Sequence, residues 1–304
     1  MFTNNECTSV SAPYALAIQS AVILSLLCLV TVPANALVII VILKDPLKKF
    51  RSPFYNFILI LGLADFVTGL VFEPAMINVL RKEALEVATP SDEYEAYHSV
   101  FFACSWAAIS SIFALTVDRY MAVSSPFKYR SEKTRKRSYI VISLILLFSC
   151  LSPLIYLKLK YVVSFFIYTN FGVITTFIFI VLTYVKVNHT IRMQARALAE
   201  NSPDNENRRD EVLLRKQDQK ITRGLLSMLF AFLMCNGPAC IIVYTMNLCG
   251  TCDCATIHWL RDYSLELTLL NSAVNPFVYT MRIPNFKESV KHVLGLRGAI
   301  ADEE

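Results

Sequence analysis

Charge is scarce in this chain. Asp, Glu, Lys and Arg together make 17% of its 304 residues, while 55% are hydrophobic, and the mean hydropathy is +0.48. Soluble domains carry about 25% charged residues, so the composition excludes a soluble domain and points to a polytopic membrane protein. Histidine is scarcer still. His98, His189, His258 and His292 are scattered, which argues against the clustered ligands of an intramembrane metal hydrolase and so against an enzyme. No internal or inverted repeat is visible, which argues against a transporter. Nine cysteines are too few for a disulfide scaffold, and Cys28, Cys104, Cys150, Cys235 and Cys240 lie inside apolar runs as small hydrophobes. No cleavable leader is expected either, because the first apolar run, about 15–43, is too long for one. The net charge of +5 gathers in particular loops and carries no nucleic-acid signal.

What is present is a succession of long apolar segments, about 15–43, 54–80, 98–125, 138–157, 162–192, 220–246 and 257–281. Lys and Arg crowd the connections after the first, third, fifth and seventh segments, as in Lys128, Arg130, Lys133, Arg135, Lys136 and Arg137. The alternate connections hold few. The positive-inside rule then sets the N-terminus outside and the C-terminus inside a plasma membrane. Residues 1–14 form an outer N-terminus, 15–281 the seven-span domain, 282–296 an amphipathic surface helix and 297–304 an acidic cytoplasmic tail. The surface helix is read from Ile283, Phe286, Val290, Val293 and Leu294 opposite Lys287 and Lys291. The expected fold is an all-α seven-transmembrane helix bundle with a short eighth helix, surrounded by membrane lipids.

The stretch Ser99 to Pro126 ends an apolar span abruptly in Asp118-Arg119-Tyr120. Paired charges there belong at the water boundary or against protein. Other spans carry their own punctuation: Asn35 in the first, Asp65 after Leu61-Gly62-Leu63-Ala64 in the second, Pro238 in the sixth, and Asn271, Ser272 and Asn275-Pro276-Phe277-Val278-Tyr279 in the seventh. This ordered set resembles the rhodopsin-like G-protein-coupled receptors over about residues 30–290.

The resemblance implies roles for these residues. Asp65 would centre a hydrated interior cluster with Asn35, Asn271, Ser272 and Asn275, where the family holds a sodium ion. Here Ala108 stands where a serine is common, and Asn236 replaces the usual tryptophan. Arg119 would be the latch toward a heterotrimeric G protein. At rest it would pair with Asp118 and Asp218; in the active state it would swing toward Tyr184 and Tyr279. Phe127 in the second inner loop would enter a Gα groove.

Departures from the family pattern narrow the choice. Tyr94 replaces the cysteine at the top of the third span, so the common outer disulfide cannot form. With Thr176 in place of the fifth-span proline and Cys249-Gly250-Thr251-Cys252-Asp253-Cys254 in the third outer loop, the chain resembles melanocortin receptors and, more loosely, lysophospholipid, cannabinoid and adenosine receptors. Spacing favours Cys249–Cys252, leaving Cys254 to pair with Cys7, a melanocortin-like arrangement. The rival is a zinc site of the three loop cysteines with His258. Phe101 stands where an amine receptor has aspartate, and Leu269 where an opsin has its retinal lysine, so no retinal cofactor is expected. The ligand pocket is expected among Glu73, His98, Phe101, Phe102, Ser105, Asn236, Val243, Arg261 and Leu265. Glu83, Glu86, Asp92, Glu93 and Glu95 would make an acidic mouth above it. That favours a peptide or small cationic ligand; a lipid or nucleoside-type ligand is the alternative.

Overall fold

The computed structural model describes residues 12–50, 52–125, 129, 132–200, 227 and 230–296. Eight helices organise them. α1 is Tyr14–Lys44, α2 Pro53–Ala84 and α3 Ser91–Ser124. Helical residues then run from Glu132 through Glu200 and comprise two membrane spans, α4 Lys136–Leu159 and α5 Val163–Val187. α6 is Phe230–Leu248, α7 Cys254–Arg282 and α8 Pro284–Val293. Among the described residues there is no strand. The bundle has an upper end, where α1 begins, and a lower end, where α7 finishes.

Each helix buries one stripe and leaves apolar side chains on the other. α1 buries Leu16, Ser20, Leu24, Thr31, Asn35, Val38 and Ile42 at spacings of three, four or seven, while Leu26, Leu29 and Leu43 stay exposed. That outer face suits lipid. Gly69 lets α2 approach α1 closely, for a Cβ there would lie 2.9 Å from Thr31 Cγ2 and 3.1 Å from Val32 Cγ2. Gly69 sits in a π-helical turn, Thr68–Phe72. Such turns are rare and frequent at functional sites. The Cys28 thiol donates to the Gly69 carbonyl at 3.3 Å.

The α4–α5 connection is tighter than any ordinary loop. Phe148 and Tyr168 both meet Trp106, with ring centroids 5.1 and 5.4 Å away. A straight helix would separate these two residues by about 30 Å. The chain therefore folds back between Leu159 and Val163. A second π-helical turn, Tyr168–Ile174, follows at once in α5.

α7 departs from the expected apolar segment. Among the described residues six helices are long and apolar enough to cross a membrane, and α7 is not among them, although its 29 residues suffice in length. It buries Asp262, Ser264, Glu266, Asn271, Ser272 and Asn275. Polar groups at such depth need protein partners, and α7 obtains them from α1 and α2. The other differences concern helix ends: α3 starts at Ser91 rather than near 98, and α8 is shorter than 282–296.

At the lower end, Asp45 caps α1 in the left-handed region and its Oδ1 accepts from the backbone N–H groups of Lys49 and Phe50 at 2.7 and 3.2 Å. This turn aims Phe50 at Tyr55 and at the fully buried Phe286, 4.6 and 5.6 Å away. α8 is thereby clamped to the first inter-helix turn by its apolar face, whereas the sequence pattern suggests a face laid on the membrane surface.

Candidate functional site

Three polar clusters lie one above another in the bundle. The lowest surrounds Arg119, which is 3% exposed. Its Nε and one terminal nitrogen donate to Asp118 Oδ2 at 3.0 and 2.6 Å. The same nitrogen donates to the Tyr129 hydroxyl at 2.7 Å, and that hydroxyl lies 2.9 and 3.0 Å from the two Asp118 oxygens. The guanidinium also sits 4.3 Å above the Phe54 ring. A buried charge needs such pairing to be tolerated. Arg119 is thus closed off on three sides. Tyr120 turns away, under the Lys186 ammonium at 5.1 Å, and Tyr184 is 46% exposed. Tyr279 is buried, its hydroxyl without a partner. Asp218 and Phe127 lie outside the described residues. Sequence reasoning found the Asp118–Arg119 pair but missed Tyr129 and Phe54, which no periodicity marks.

The middle cluster surrounds Asp65. Asp65 accepts from the Ser272 hydroxyl at 2.7 Å and from Asn275 Nδ2 at 2.9 Å. Asn35 Nδ2 donates to the carbonyls of Thr31 and Ser272 at 2.9 and 3.1 Å. Asn271 is buried nearby on α7 with its Oδ1 unpartnered, as are Asn35 Oδ1 and Asn275 Oδ1. Amide oxygens that meet no donor fit a small cation or ordered water, so the residues present suit the family's sodium ion.

The upper cluster joins α2 to α7. Arg261 donates to both Glu83 oxygens at 3.2 and 3.1 Å and to Asp262 Oδ1 at 2.7 Å. Ser20 donates to Asp262 Oδ2 at 3.4 Å. Below it Glu73 is fully buried; Thr31 reaches one of its oxygens at 3.4 Å and the other meets no donor. Glu93, expected at an open acidic mouth, is bonded to Lys82 at 2.8 Å and to the Tyr97 hydroxyl at 2.8 Å. Two of the five mouth acids are therefore held in ion pairs with this chain's own cations.

The other residues expected in the pocket are packed together. His98 and Phe101 both meet Phe72, at 5.8 and 4.7 Å, and Phe102 stacks on Tyr156 at 5.2 Å. Tyr94 packs on His98 at 4.1 Å, so an aromatic contact occupies the place of the absent cysteine. Ser105, Val243 and Leu265 are buried, and Asn236 donates to the Phe232 carbonyl at 3.0 Å. Two cavities, of about 640 and 340 Å³, lie elsewhere. At the top of the bundle Cys249 and Cys252 are disulfide-bonded. Cys254 is disulfide-bonded as well, and its expected partner, Cys7, lies outside the described residues.

The sequence model of the 7 transmembrane receptor (rhodopsin family) matches residues 34–163 and 148–279. The chain belongs to this family. It is a G-protein-coupled receptor for an extracellular ligand, and a multi-pass protein of the plasma membrane. Among similar proteins, the receptor is 22% identical over 283 residues to human (Homo sapiens) lysophosphatidic acid receptor 3, covering 88% of this chain and 76% of that one. It is 26% identical over 281 residues to mouse (Mus musculus) melanocortin receptor 5, covering 89% and 82%. Rat (Rattus norvegicus) lysophosphatidic acid receptor 3 is 21% identical over 282 residues, covering 88% and 76%. All three are receptors rather than enzymes. The expected kinship with melanocortin and lysophospholipid receptors holds.

Proposed function

We propose that the receptor binds a cationic ligand, a peptide or small amine, at its upper end, and that binding frees Arg119 to engage a heterotrimeric G protein at the lower end. This reading sets the N-terminus outside, in keeping with the basic loops that follow α1, α3 and α5. The observation that carries it is the charge balance of the upper cluster. Arg261 already serves both Glu83 and Asp262, while buried Glu73 keeps an unpartnered oxygen below them. An incoming cation would compete with Arg261 for its carboxylates and loosen the α2–α7 tie. Differential affinity for the loosened state is what shifts the bundle between its two arrangements. A sodium ion held by Asp65, Asn35 and Asn275 would favour the resting arrangement.

A lipid with an anionic head is the second reading, favoured by two relatives whose names include lysophosphatidic acid. It would need free cations; Lys82 and Arg261 are committed to acids, which leaves the exposed Arg81 and Lys158 to meet such a head. The deciding experiment is nucleotide exchange on purified G protein, using receptor in nanodiscs and a ligand library sorted by charge. Activation by cationic members, reduced in Glu83→Gln, supports the proposal. Activation by phosphate-headed lipids alone refutes it.

A further inference from the structure

The smaller cavity, about 340 Å³, lies between α1, α6 and α7 in the upper half of the bundle and is distinct from the α2–α7 cluster. Its walls are Ile23 and Leu27 of α1, Ile242 of α6, and Leu267 and Leu270 of α7. On α7 the inward positions Leu265 and Leu269 are buried, whereas Leu270 is 38% exposed. The cavity therefore opens sideways, toward lipid, and not into the mouth. Its size falls at the lower end of ligand sites, about 300–1,000 Å³.

One wall is not apolar. Glu266 lines this cavity, is 7% exposed, and its Oε1 meets no donor among the described residues. Ser20 is its hydrogen-bonding neighbour, but that hydroxyl also serves Asp262. The nearby cation, Arg261, is occupied by Glu83 and Asp262. A carboxylate left without a cation at this depth is costly; a proton relieves that cost, and so does a cation from outside the protein that also fills the bonding capacity of Oε1.

We propose that this cavity is a side-entry site for a membrane amphiphile with a single alkyl chain and a positively charged amine. The chain lies against Ile23, Leu27 and Leu267, and the amine donates to Glu266 Oε1. An ammonium brings three donors and a charge. A neutral alcohol would supply one hydrogen bond and leave the carboxylate charge unmatched. A phosphate head would be repelled by Glu266 and by Asp262 one turn above.

The test uses the full-length receptor in phosphatidylcholine nanodiscs with three photoactivatable probes of identical chain: dodecylamine, dodecanol and dodecyl phosphate, each carrying a diazirine. Labelling is mapped by peptide mass spectrometry. The amine probe is expected to label the peptides containing Ile23–Leu27 and Leu270 about tenfold more than the other two. Glu266→Gln should reduce amine labelling by about the same factor, and Leu267→Trp, which fills the cavity, should abolish it. Equal labelling by all three heads, dominant labelling by the phosphate, or full amine labelling of folded Glu266→Gln would each overturn the proposal. Melting curves verify that the variants are folded. The head-group comparison on the natural sequence decides by itself if one of them is not.

Discussion

Tyr129→Phe isolates one oxygen of the clamp on Arg119. The hydroxyl accepts from Arg119 at 2.7 Å and lies within 3.0 Å of both Asp118 oxygens. Hydrogen bonds to charged partners contribute about 1.5–3 kcal/mol each. The ring remains 5.5 Å from the guanidinium and the Asp118 pair survives, but the resting state loses both bonds of this hydroxyl, the one accepted from Arg119 and the one donated to Asp118, so a net loss of one such bond is the least expected. About 1.4 kcal/mol changes an equilibrium tenfold. If the active state is populated at about 1% in the free receptor, the variant brings it to about 10%. Ligand-free nucleotide exchange on purified G protein, normalised to receptor number, should then rise about tenfold. Tyr129→Ala, which also loses the ring, should raise it further, and Arg119→Ala should abolish coupling. Unchanged basal exchange in Tyr129→Phe receptor with an unaltered melting temperature refutes the clamp.

Other consequences can be checked singly. Asp218→Ala should raise basal exchange in the same assay if that acid is the partner that the sequence suggests. Gly69→Ala should lower stability by about 1–3 kcal/mol, because its Cβ meets Thr31 and Val32; Gly237→Ala, with nothing within 4 Å, should be neutral or stabilising, and thermal melting in detergent separates them. Phe286→Ala removes a fully buried ring, costing about 3–5 kcal/mol, and should expose α8 amides to rapid hydrogen exchange. Non-reducing peptide mapping should recover a Cys249–Cys252 peptide and a second one linking Cys254 to Cys7; a freely alkylated Cys7 in active receptor refutes the second bond.

What the sequence revealed follows from physical cost. Asp65 and Asp118-Arg119 were legible because a charge inside or at the end of an apolar run must be paired, and few partners were on offer. The Asp65–Ser272 and Asp65–Asn275 bonds follow that logic. Arg261–Glu83 does not: the two residues are 178 positions apart, and each looks like an ordinary loop charge. The aromatic residues His98, Phe101 and Phe102 were placed correctly near the top of α3, yet their packing against Tyr156 and Phe165 turns the expected pocket into core. Glu266 went unnoticed beside Asp262 and Arg261, because only its depth and its missing donor set it apart. α7 shows the same limit, since its polar inner face becomes intelligible only with α1 and α2 beside it.

The helical fold-back between α4 and α5 has a mechanical consequence. Most hairpins joined by a flexible tether let each arm slide without disturbing the other. Here only a few residues separate the two spans, and Trp106 and Phe102 grip both arms from the same side of α3. The arms act as one spring leaf. So short a link leaves little slack, and a push on the upper end of α5 would reach α4 through the rings that Trp106 and Phe102 share with both.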